Sequence, residues 1–71
     1  MAKTRQVLHM VDNGKEYMVV RHFGKTNPYR IYHLYRTLGE DNRPHDHKVC
    51  VEQYGNMESC FYWFIQNGIG R

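Results

Sequence analysis

Asp12-Asn13-Gly14-Lys15 limits what this chain can fold into more than any other stretch. A two-residue type I′ turn needs positive φ at both central positions, and Asn-Gly meets that need best. On one side lie Val7, Leu8, Met10 and Val11. On the other, Glu16 to Phe23 reads as the return strand. With Asn13-Gly14 as the turn, Asp12 stands opposite Lys15, Met10 opposite Tyr17 and Leu8 opposite Val19. Side chains alternate along a strand. One face then carries Leu8, Met10, Tyr17 and Val19, and the other Val7, His9, Met18, Val20 and His22. Neither face is polar.

The next stretch, Asn27 to Arg36, admits two readings. As a helix, Asn27 is the N-cap, Pro28 the first helical residue and Gly39 the C-terminal cap, with Ile31, Leu34, Tyr35 and Leu38 at helical spacing. As a strand, Tyr29 to Arg36 is rich in Tyr, Ile and Leu and holds no Ala, Glu, Lys or Met. The short link from Gly24 to Pro28 suits a meander, so a strand is expected. Arg30, Tyr32, Leu34 and Arg36 would share one face, with Tyr29, Ile31, His33 and Tyr35 opposite.

Residues 37–47 show no periodicity and hold Gly, Pro, Asn, Asp and His, which predicts a long loop. Lys48 to Tyr54 is a further strand, with Val49 and Val51 facing one way and Cys50, Glu52 and Tyr54 the other. Asn56 then caps a helix from Met57, with Glu58 in the first turn. Its expected apolar face is Met57, Cys60, Phe61, Phe64 and Ile65. Gly68 is placed as the left-handed residue after the helix, and Ile69 packs back on Phe64.

The expected fold is α+β: an antiparallel sheet of about four strands with one C-terminal helix on one face. The alternative is ββαβα, with residues 28–38 helical. A chain of 71 residues is one small domain, and only about 60% of its unfolded surface is buried on folding. Residues 1–5 are expected to fray. One short helix cannot cover four strands. The second sheet face therefore calls for a partner, a second copy or nucleic acid.

Composition narrows the function classes. Ten Lys and Arg against seven acids give a net charge of +3, which permits a phosphate-bearing partner without demanding one. Two cysteines, Cys50 and Cys60, are too few for a disulfide framework. They read as reduced thiols packed as small hydrophobes. No stretch approaches the ~20 apolar residues of a membrane span, and the N-terminus lacks the apolar run of a signal peptide. A cytoplasmic protein is expected. Gly24-Lys25-Thr26 resembles the end of a phosphate-binding loop, but Val19 stands where the motif needs glycine.

Candidate chemistry is sparse. His45 and His47, with Cys50 nearby, have ligand types suited to zinc but no finger spacing. A solvated loop is the plainer reading, and no metal, cofactor or small-molecule substrate is expected. Cys60 lies on the buried helix face and Cys50 on a strand, so neither suits a catalytic thiol, and no enzymatic activity is expected. The basic and aromatic residues form the more useful pattern. Arg21, Lys25, Arg30, Arg36, Arg43 and Lys48 fall on the central strands and their loops, with Tyr29, Tyr32 and Tyr35 among them. Arginine and lysine neutralise phosphates, and aromatic rings stack on bases. The pattern points to DNA or RNA. The expected architecture is similar to that of small DNA-binding domains of integrases and plant transcription factors, a likeness of architecture without a shared motif. The alternative is a homodimerising interaction module that pairs through Trp63, Tyr62, Met18 and Val20.

Overall fold

The computed structural model describes residues 3–70. Four strands, β1 (Thr4–Asp12), β2 (Lys15–His22), β3 (Tyr29–Leu38) and β4 (Pro44–Tyr54), form one antiparallel sheet in the order β1-β2-β3-β4. Helix α1 (Met57–Gln66) packs on one face. The strand reading of the central stretch holds, and the helical alternative does not.

The first turn follows its residues. Asn13 and Gly14 take φ of 52° and 80°, so Asp12 pairs with Lys15, Met10 with Tyr17 and Leu8 with Val19. Beyond Leu8 the register slips, because Gln6 rather than Val7 pairs with Val20. Val7 is the extra residue of a β-bulge, so Gln6 falls in register with Val20 of the second face, where simple alternation would have put it opposite. Residues 3–5, where fraying was expected, are placed against β2 and the residue that follows it. Thr4 and Arg5 pair with His22 and Arg21, and the Lys3 carbonyl accepts from the Phe23 amide at 3.0 Å. Met1 and Ala2 lie outside the described residues.

The expected loop over residues 37–47 is a short turn between two long strands. Thr37 and Leu38 extend β3, and Pro44 to His47 open β4 opposite them. These residues lack an apolar alternation because both faces of this part of the hairpin are wet. Cross-strand polar pairs take the place of a core: Arg36 with Asp46, and the Thr37 hydroxyl with His47 at 2.8 Å. Pro44 sits at the first strand position, where its missing N–H costs least. In the turn, the Gly39 amide donates to the Arg43 carbonyl at 3.0 Å, and Asp41 accepts from the Arg43 amide at 3.1 Å. Among the described residues, no strand partners β3 on the β2 side beyond Leu34, which pairs with Glu16. The β3–β4 hairpin therefore overruns the rest of the sheet.

A second bulge falls at Val51, where Glu52 pairs with Ile31 but Cys50 pairs with Tyr32. The extra residue turns Tyr54 to the helix side, where it packs against the core with Val51. Simple alternation had placed the two on opposite faces.

The core is Tyr17, Val19, Ile31, Cys60, Phe64 and Ile69, with Val19, Ile31 and Cys60 wholly buried. The Asn56 side chain caps α1 by accepting from the Ser59 amide at 2.8 Å. At the other end Gly68 has φ of 69°. Its amide donates to Ile65, and the Ile69 amide donates to Phe64, which completes a Schellman ending. The chain then reaches β1, where the Gly70 amide donates to Asp12 at 3.2 Å. The helix is rolled from its expected setting. Trp63 packs edge-on against Tyr17, with centroids 5.7 Å apart, while Phe61 and Ile65 stand 49% and 59% exposed. Burying the indole removes the largest apolar surface from water, and this turns the neighbouring stripe outward. No helix of the described residues is long and apolar enough to cross a membrane.

Candidate nucleic-acid interface

The sheet face away from α1 is uncovered, and the molecule is a slab 39 × 34 × 15 Å. Its centre is half-apolar. Val20 is buried between Gln6 and Arg30 in register, and Met18, Tyr32 and Leu34 are half-buried. Strand alternation then decides which polar residues join them. Arg30, Tyr32, Leu34 and Arg36 come from β3, His22 from β2, and Lys48 and Cys50 from β4, with Cys50 in register with Tyr32.

Tyr32 is the middle of this group. Its hydroxyl lies 2.9 Å from Nε2 of His22. The Lys48 ammonium stands 5.3 Å from the centre of its ring, a cation–π contact. Arg30 is two residues away along β3, and its Nε donates to the Asn27 carbonyl at 3.4 Å. Among the described residues no carboxylate pairs with Arg30, Lys48 or Lys25. Desolvation holds the His22 imidazole below its ordinary value, and the positive charges of Arg30, Lys48 and Lys25 push it further the same way. Burial is the larger cause, and the neighbouring cations act in the same direction.

The other sequence candidates are placed differently. Arg36 is on the same face, but its guanidinium donates to Asp46 at 2.7 Å. This pair raises the Arg36 value and lowers that of Asp46. Arg43 belongs to the β3–β4 turn, away from Tyr32. Arg21 and Tyr29 lie on the helix side, where the Arg21 guanidinium sits 4.9 Å from the Phe23 ring and 5.6 Å from the Tyr29 ring. The basic-aromatic set therefore divides between two faces, and Lys25, Arg30, Tyr32 and Lys48 remain together. His22 and Cys50 join the group without having been chosen from the sequence. The first-hairpin register had already put His22 on the face of Met18 and Val20. Cys50 is exposed, which corrects its reading as a packed small hydrophobe. Cys60 is buried, and burial raises its thiol.

Of the interface candidates, Met18 is half-buried on the open face, Val20 is buried, and Trp63 is half-buried against the core. Tyr62 is 60% exposed. It joins Glu58, Phe61 and Ile65 on the outer side of α1.

His45 and His47, on β4, are engaged elsewhere. His47 stacks on Tyr35 at 5.1 Å and meets the Thr37 hydroxyl. His45 is 3.2 Å from Asp41 and lowers its carboxyl. Among the described residues no three His, Cys, Asp or Glu side chains gather as a metal site. An open hollow of about 560 Å³ lies where the β3–β4 hairpin overruns β2, lined by Gly14, Glu16, Leu34, Tyr35, Arg36, Asp46 and His47. It adjoins Leu34 and Arg36 rather than the Tyr32 group. No protein-family model, curated protein or solved structure matches the chain.

Proposed function

We propose that the chain is a non-enzymatic binding module that takes nucleic acid, DNA in the first instance, on the uncovered sheet face. One observation supports this above all. Tyr32 carries Lys48 over its ring and Arg30 beside it, on a face that α1 does not cover and, among the described residues, with no carboxylate paired to either cation. A ring flanked by unpaired cations offers a base a π-face and its phosphates a counter-charge. The test is a titration with labelled single-stranded and duplex oligonucleotides at low salt, repeated as salt rises. Affinity should fall steeply with salt. Absence of binding to either form removes the proposal.

A second reading, self-association, has its own support. Phe61, Tyr62 and Ile65 stand about half exposed or more on one side of α1, and contiguous apolar surface of this kind commonly meets a partner. A symmetric dimer is the simplest geometry. Sedimentation or light scattering across a wide concentration range tests it, and a strict monomer rules it out. The two readings use opposite faces and are compatible.

A further inference from the structure

Resting on the nucleic-acid reading, we infer that the ligand of the open face is a single strand, stacked by a base on Tyr32 and held through its phosphates by Arg30, Lys48 and Lys25.

The geometry excludes duplex reading by this face. Arg30 and Tyr32 sit on β3, Lys48 on β4 and Lys25 in the β2–β3 link, and β3 is an inner strand flanked on both sides at Arg30 and Tyr32. Four strands span three inter-strand spacings, about 14 Å between the outer backbones before side chains are added. The major groove of duplex DNA is about 12 Å wide. A flat face of this width cannot descend to the groove floor, so Tyr32 and Arg30 cannot reach base edges there. The one part narrow enough to enter a groove is the overrunning β3–β4 hairpin, but its turn carries Glu40 and Asp41 beside Arg43. Arg36, further up that hairpin, is already neutralised by Asp46. Phosphates flanking a groove would meet carboxylates at the tip.

A single strand has no such restriction, since unpaired bases splay onto a flat platform. The dimensions of the group suit it. Arg30 is two strand residues from Tyr32, about 7 Å, and Lys48 is the diagonal neighbour of Tyr32 across the β3–β4 pair, about 7–8 Å away. Cations thus lie on both sides of one ring along a path of a few nucleotides. The Lys48 ammonium is already within 5.3 Å of the ring centre, close enough to meet a phosphate next to a base stacked there. Charge complementarity names the occupant: an apolar partner would strand Arg30 and Lys48 without counter-charges.

The experiment is fluorescence anisotropy at about 50 mM salt with a fluorescein-labelled oligothymidylate of about 15 nucleotides, alone and annealed to its complement. An RNA homologue serves as a third probe. The single strand should bind at least about tenfold more tightly than the duplex. Tyr32→Leu should weaken single-strand binding by about tenfold, the effect of removing one stacking ring. Tyr32→Phe keeps the ring and should stay near the parent. Emission from Trp63, on the other face of the sheet, reports whether each variant is folded. Duplex binding as tight as single-strand binding overturns this inference and leaves the broader proposal standing. Binding of neither form overturns both. A folded Tyr32→Leu variant with unchanged affinity overturns the role given to the ring.

Discussion

The Tyr32 hydroxyl lies 2.9 Å from Nε2 of His22, and both groups sit among Arg30, Lys48 and Lys25. A neutral imidazole can accept from the hydroxyl, whereas a protonated one adds a fourth positive charge. The folded state therefore holds His22 below its ordinary value, by desolvation first and then by its cationic neighbours. The unfolded chain binds that proton more readily, so this histidine makes stability rise with pH. Melting temperature should fall as pH drops from about 7 to about 5, and His22→Gln should flatten the fall. Asp41 and Asp46, whose values are lowered by His45 and Arg36, lose their contribution at more acid pH, as it falls through the ordinary carboxylate range and below, so the two effects separate in a pH series.

Anionic ligands reverse the sign at the same histidine. A phosphate near His22 favours the imidazolium, so binding should take up a proton and tighten as pH falls through the window just named. Parallel titrations of the parent and of His22→Gln at two pH values measure this, and equal pH dependence in both would exclude His22 as its source.

The cations should not be equivalent. Arg30→Ala and Lys48→Ala should each weaken binding and reduce the log–log salt slope by about 0.7 for a phosphate lost on a single strand. Arg43→Ala and Arg21→Ala should change little, since one lies in the distal turn and the other on the helix side. Asp46→Asn frees the Arg36 guanidinium and should tighten binding and steepen the slope. Anisotropy titrations over a salt series check all five.

Core positions should prove unforgiving. Ile31 is wholly buried between the sheet and α1. Ile31→Val should cost about 0.5–1.5 kcal/mol and Ile31→Ala about 2–5 kcal/mol. For so small a domain the second value approaches total stability. Urea unfolding of the first and a far-ultraviolet spectrum of the second give the answer. Gly68→Ala should cost about 1–2 kcal/mol through backbone conformation alone, because its φ is 69° and a Cβ there meets nothing within 4 Å.

On the outer side of α1, Ile65→Lys should leave the unfolding midpoint within about 0.5 kcal/mol of the parent, since the side chain is mostly solvated. If Phe61, Tyr62 and Ile65 mediate self-association, the same change should lower the sedimentation coefficient at high concentration.

What the sequence by itself determined was set within a few residues. Asn13-Gly14 prescribed both the turn and the facing of Leu8, Met10, Tyr17 and Val19. Asn56, Gly68 and Ile69 prescribed both ends of α1. Backbone dihedrals and caps depend on immediate neighbours, so the local sequence suffices. Alternation along β3 likewise put Arg30 and Tyr32 on one face. Three matters were decided only by tertiary structure. The polar run from Pro44 to His47 is a strand because β3 supplies its hydrogen bonds, and no hydrophobic period was needed on a wet hairpin. Bulges at Val7 and Val51 moved residues between faces, Tyr54 among them, because a bulge depends on how two strands fit rather than on either alone. The roll of α1 was chosen by Tyr17 and Ile31 beneath it. Trp63 and Phe64 fill that surface best, which leaves Phe61 and Ile65 outside. The same competition for one apolar surface leaves the opposite face uncovered by α1, with Tyr32 half-buried there and the Lys48 ammonium beside its ring.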